Sequence, residues 1–146
     1  MDRNEQRILQ TIDEHADELQ AMAEDIFLHA EQGYHEFRTA EIAETFLKKL
    51  GLEPKTGLAI TGLRASVGNG KGPNIALIGE LDGLACPDHP AAYHGYAHSC
   101  GHYAQMVCML GAALALTDPE VAASLDGTAT FYAVPAEEFQ DASVRE

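Results

Sequence analysis

The spacing of apolar residues changes character along the chain, and each change marks a different element. Ile8, Ile12, Leu19, Met22 and Ile26 recur at roughly helical spacing among acidic residues, which predicts a one-sided surface helix over residues 4–29. A second helix is predicted over 38–50, with Ile42, Phe46 and Leu50 on one stripe and Gly51 as its stop signal. The period then shortens. Residues 61–67 and 74–78 read as short extended segments separated by the turn-forming run Gly68-Asn69-Gly70-Lys71-Gly72-Pro73. Residues 128–134 form another strand candidate, introduced by Asp126-Gly127 and ended by Pro135. Between them, residues 103–116 leave almost no polar face, so this helix is expected to be buried on most sides. Helices before and between strands imply a layered α/β fold.

The last residues, Phe139 to Glu146, do not read as a closing element, and a strand ending in charged residues at the edge of an α/β sheet usually leads into more fold. The expectation is a single, incomplete domain: 146 residues suffice for one and are too few for two. The formal net charge of -14 argues against a nucleic-acid backbone or an anionic membrane surface as partner. It does not argue against a small substrate, because a divalent cation reverses the local field in a cleft. No segment is long and apolar enough to span a bilayer. The three cysteines form no paired framework, so a reducing, cytoplasmic setting is expected.

Candidate chemistry gathers in two places. Cys100 and His102 offer thiolate and imidazole donors two positions apart, with Gly101 permitting a sharp turn between them. Four of the seven histidines (His89, His94, His98 and His102) lie between Pro87 and His102, ahead of the most apolar helix, where α/β domains commonly place site loops. His89 and His94 are assigned no ligand role. Glu137 and Glu138 follow the last strand, and adjacent side chains on extended backbone diverge, so one carboxylate can hold a metal while the other moves a proton. Asp82, in Gly79-Glu80-Leu81-Asp82-Gly83-Leu84, can accept a hydrogen bond from a metal-bound imidazole and fix its tautomer. Glu80 is read as capping the following loop. A thiol nucleophile at Cys100 with His98 or His102 as base leaves the glutamate pair without a task. The glycine turns match neither a phosphate loop nor a dinucleotide fingerprint.

Five segments in order resemble the peptidase M20 family, especially its amidohydrolase branch related to aminoacylases, aminobenzoyl-glutamate hydrolases and carboxypeptidases. They are Glu31-Gln32-Gly33-Tyr34-His35-Glu36-Phe37-Arg38-Thr39-Ala40, Thr61-Gly62-Leu63, Gly79-Glu80-Leu81-Asp82-Gly83-Leu84, His98-Ser99-Cys100-Gly101-His102 and Val134-Pro135-Ala136-Glu137-Glu138. The last two carry most of the specificity. The resemblance implies a zinc-peptidase-like catalytic domain with helices packed on a mixed sheet. Residues 1–146 would be its N-terminal portion, with a lid or dimerisation domain and the C-terminal catalytic portion lying outside the chain. It assigns Cys100, His102 and Glu138 to metal binding, Glu137 to general acid/base catalysis and Asp82 to support behind the ligands. It further implies two divalent ions, zinc or manganese, with histidines from beyond the second motif, and a parent that forms homo-oligomers. Three positions depart from the family pattern: Tyr103 stands where an aspartate is common, Gln105 where a histidine is frequent, and Glu80 where an aspartate usually begins the motif.

The resulting expectation is a parent enzyme that hydrolyses the amide bond of an N-acyl amino acid, an aminobenzoyl-glutamate-like compound or a small peptide. The alternative is a non-catalytic structural or interaction fragment with an incomplete metal site.

Overall fold

The computed structural model describes residues 1–138, so the reading of residues 139–146 lies outside the described residues. Its elements run α1 (Arg3–Glu14), α2 (Ala16–Leu28), α3 (Phe37–Lys49), β1 (Lys55–Leu58), β2 (Gly62–Gly68), β3 (Asn74–Glu80), β4 (Leu84–Ala85), β5 (Tyr96–Ala97), α4 (His102–Leu116), α5 (Pro119–Ser124) and β6 (Thr128–Val134). Four strands form a mixed sheet in the order β1-β2-β6-β3, with β6 antiparallel to β2 and parallel to β3. The short strands β4 and β5 pair separately. This is the layered α/β architecture that the periodicity predicts.

Period-two alternation sorts β6 cleanly. Ala129, Phe131 and Ala133 join Leu63 and Ala65 of β2 in the core, where α4 contributes Met106, Met109, Leu110, Ala113 and Leu114. On the opposite face a polar ladder crosses three strands: Ser66 Oγ lies 3.0 Å from Thr130 Oγ1, which donates to Asn74 Oδ1 at 3.0 Å. Helix α4 lies close on β3 because Gly79 has no side chain; a Cβ there would sit 2.8 Å from Met106 Sδ and 3.1 Å from its Cα. Helices α1, α2 and α3 in turn pack on α4.

The single helix expected over 4–29 is two. At His15 the backbone N–H turns to Ile12 O at 3.2 Å, while the ring Nδ1 bonds Thr11 O at 2.9 Å, the carbonyl that a continuing helix would have used. His29 ends α2 in the same way, with Nδ1 2.7 Å from Asp25 O and its N–H on Ile26 O. Helix α4 also differs from expectation. It buries one broad face, while Ala104, Gln105 and Cys108 are exposed beside Leu77 and Ile78 of edge strand β3. Its apolar composition had concealed this side, because alanine and cysteine tolerate either environment. Strand β3 extends two residues past the predicted end, to Glu80, which carries that side chain to the site. Strand β1 and helix α5 were not anticipated; α5 is started by Asp118, whose carboxylate accepts from Glu120 N and Val121 N and pairs with Arg7 of α1 at 2.8 Å.

No helix among the described residues is long and apolar enough to cross a membrane, and Cys86, Cys100 and Cys108 are free thiols.

Candidate metal centre

Parallel strands β3 and β6 end side by side, and the residues that follow them meet the start of α4. Leu81 N–H donates to Val134 O at 2.9 Å, extending the pairing by one residue and setting Asp82 level with the segment that leads to the glutamate pair. Gly83 N–H is held by Glu31 O at 2.9 Å, and a Cβ on Gly83 would lie 2.9 Å from Ala30 Cβ, so this turn runs tightly beneath the end of α2. Gly101, at φ +100°, makes the left-handed step between Cys100 and the first residue of α4, His102.

His102 is the hub. Its ring is 1% exposed, and Nδ1 lies 2.8 Å from the main-chain oxygen of Asp82. A carbonyl oxygen can only accept, so Nδ1 carries a proton and Nε2 is the ring nitrogen left facing the acids. Nε2 faces Glu80 Oε2 at 2.9 Å, Glu137 Oε2 at 3.7 Å and Glu138 Oε1 at 3.9 Å. Asp82 itself is fully buried; its Oδ1 is 3.3 Å from His102 Nδ1 and its Oδ2 accepts the Glu138 N–H at 2.9 Å. Asp82 thus steadies the ring through its main-chain oxygen and the backbone of a second donor through its carboxylate.

Donor atoms of Cys100, His102 and Glu138 lie within 4.8 Å of one another, and so do those of Glu80, His102 and Glu137. Ligands sharing one ion at roughly 2.0–2.3 Å stand about 3–4 Å apart, a spacing these side chains reach by small rotations. Among the described residues no lysine or arginine forms an ion pair with Glu80, Asp82, Glu137 or Glu138. A sulfur, an imidazole nitrogen and carboxylate oxygens converging without a side-chain cation fit a divalent metal ion. The exposed Cys100 thiol hydrogen-bonds Glu138, which pushes its pKa up, as do local desolvation and the charges of Glu138, Glu137 and Glu80. A thiol nucleophile would leave the glutamate pair without a task, whereas donor convergence gives both acids a place, so the geometry favours the metal reading.

All five predicted site residues, Asp82, Cys100, His102, Glu137 and Glu138, are therefore neighbours. His98 stands apart from the donor set. It is 3% exposed with both ring nitrogens unpartnered, and burial, with the nearby His102, pushes its pKa down to about 4. His89 accepts from the Ala91 N–H, and His94 stacks edge-on against Tyr93. Glu80, read from sequence as a loop cap, instead pairs with His102; the missed signal was the two-residue extension of β3. A shallow cleft opens beside Glu138, lined also by Gln32, Gly33, Leu84, Ala85 and Tyr96.

No protein-family model matches the chain. It is 36% identical over 113 residues to IAA-amino acid hydrolase ILR1-like 4 of Arabidopsis thaliana, covering 74% of this chain and 25% of the relative. A similar relative from the same plant, IAA-amino acid hydrolase ILR1-like 5, is 35% identical over 113 residues, covering 74% of this chain and 26% of that protein. Among solved structures it matches the YxeP protein of Bacillus subtilis, a dinuclear metal binding peptidase from the M20 family, with a TM-score of 0.73 and 29% identity. That match covers 84% of this chain and 36% of the other. The chain thus spans about a quarter of the length of these two plant relatives. With the ordered motifs, the mixed sheet and these relatives in agreement, the chain belongs to the peptidase M20 family of hydrolases, within its amidohydrolase branch.

Proposed function

We propose that the parent protein of this chain is a metal-dependent amidohydrolase acting on an N-acyl amino acid, an aminobenzoyl-glutamate-like amide or a small peptide. The observation that carries the reading is the convergence of Cys100, His102 and Glu138 donors within 4.8 Å, with Glu137 beside them. In this reading Cys100, His102 and Glu138 hold metal, and the parent contributes further histidines, a lid domain and a second ion. When bound, divalent ions supply Lewis-acid polarisation of the amide carbonyl and acidify water. Glu137, whose side chain is half exposed at the mouth of the site, takes the proton from the attacking water and returns it to the leaving nitrogen. Asp82 holds the His102 tautomer through its main-chain oxygen, where the sequence reading used the carboxylate, and the carboxylate holds the backbone of Glu138.

The cleft beside Glu138, with Gln32 and Tyr96 as polar walls, suits a small substrate rather than a folded protein. A cytoplasmic setting belongs to the same proposal, because Cys100 ligates only when reduced. In the metal-loaded parent, Glu137→Gln should keep most of its metal, measured by atomic emission, and lose about 10²–10⁴-fold in turnover. Unchanged turnover on every amide that the wild type cleaves would remove Glu137 from the role of base.

A further inference from the structure

Two fully buried acids flank the glutamate pair, and only Asp82 has so far been given a task. The other is Glu36, 0% exposed at the start of α3. Glu36 stands at the N-cap position of the helix, yet its side chain makes no cap. Glu31 does that work instead, accepting from Arg38 N, Thr39 N and Thr39 Oγ1 at 2.8–2.9 Å. The Glu36 side chain turns inward, where Oε2 accepts from Thr61 Oγ1 at 2.6 Å and Oε1 accepts from the Ala136 N–H at 2.8 Å. No lysine or arginine among the described residues pairs with it. A buried carboxylate without a cation is costly, and an apolar side chain would fill the space more cheaply.

What the carboxylate holds is a strained corner. Ala136 adopts φ +59°, a left-handed conformation that is unfavourable for a residue with a Cβ, and it is the last residue before Glu137. Two residues on, the Glu138 N–H is fixed by Asp82. The backbone that aims both glutamates is therefore suspended between Glu36 on one side and Asp82 on the other. The Thr61 arm is anchored as well: Thr61 is 5% exposed and follows two left-handed residues, Ala59 and Ile60. Its neighbour Gly62 lets Pro135 approach so closely that a Cβ there would lie 3.0 Å from Pro135 Cδ.

We propose that Glu36 is a positioning residue of the metal centre, its buried carboxylate clamping the Ala136 corner to the β1–β2 turn so that Glu138 reaches the ion. The inference rests on the metal reading of Cys100, His102 and Glu138.

A double-mutant cycle on the 146-residue chain tests it, with cobalt(II) as probe and the Cys100 thiolate-to-metal absorption band as readout. Glu138→Gln should weaken cobalt binding by about 10–100-fold, and Glu36→Met, which fills the same volume but accepts no hydrogen bond, should weaken it similarly. The double variant should bind no worse than either single one, with the thiolate band retained throughout. Glu36→Gln should bind nearly as the wild type does, since its amide oxygen can accept from Ala136 while its NH2 donates to the Thr61 hydroxyl, which then acts as acceptor. Circular dichroism checks the fold of each variant, and Glu36→Ala replaces Glu36→Met, with the same expectations, if the latter does not fold. Losses that multiply in the double variant, or wild-type affinity in Glu36→Met, would overturn the positioning role while leaving the metal site standing. A wild-type chain without a thiolate band would overturn the metal reading and this inference with it.

Discussion

Histidine takes three different parts in this chain, and its surroundings decide which. His15 and His29 end helices through their ring nitrogens, His98 is buried and neutral with its pKa near 4, and His102 offers one nitrogen to the candidate ion because the other is committed to Asp82 O. Composition shows all of them as the same letter. The cysteine beside them has the opposite problem, for the carboxylates that make Cys100 a convincing ligand also keep its thiol protonated. An ion must displace that proton, so affinity is linked to pH with a definite sign. With the thiol pKa raised above its ordinary value, binding to the 146-residue chain should strengthen by about tenfold per pH unit through the neutral range and level off once the thiol ionises. Calorimetry in buffers of different ionisation enthalpy should count about one proton released and substoichiometric or weak uptake, since Cys100, His102 and Glu138 are only three donors. Tight binding of two ions, or a pH-independent isotherm, would contradict this. The nearness of the five candidate residues was legible because their types cluster within short motifs. Glu36 and Glu80 were not, since the first acts on a residue 100 positions away and the second on an imidazole that only the extended β3 brings within reach.

At the scale of elements, strand β6 was legible to its ends because alternation and the flanking Gly127 and Pro135 agree. The break at His15 was not, because an apolar stripe continues through it and the competing hydrogen bond comes from a side chain. Helix α4 was found in the right place with its exposed side unforeseen. Its seat on β3 depends on Gly79, a residue that a strand reading treats only as a weakness. Gly79→Ala should destabilise the chain by about 1–3 kcal/mol, because the new methyl meets Met106 backbone as well as its flexible sulfur. Chemical denaturation measures this directly. A neutral substitution would mean that α4 can move away from the sheet, and with it His102, so cobalt affinity should then fall even though stability does not.

At the scale of the whole molecule, β3 is an unpaired edge of the sheet among the described residues. Ile75 and Ile78 of β3 are 65% and 58% exposed, and Ile78 lies beside the bare Ala104–Cys108 side of α4. An uncovered apolar edge strand pairs readily with other chains. Ile75→Lys/Ile78→Lys should suppress self-association of the 146-residue chain, read by light scattering across a concentration series, without loss of helical signal. Equal association in both proteins would place the contact elsewhere.

The strand order carries a further consequence for how the molecule comes together. Strand β6 is the last strand in the described sequence but lies in the interior of the sheet, between β2 and β3, which do not touch each other in the ladder. During synthesis, β3 has no partner until nearly all of the described chain has emerged, and such long-range closure is a slow kind of folding step. The same insertion delivers Glu137 and Glu138 to their two anchoring acids. Completion of the sheet and assembly of the centre are thus one event, and a lesion that withdraws β6 dissolves both together.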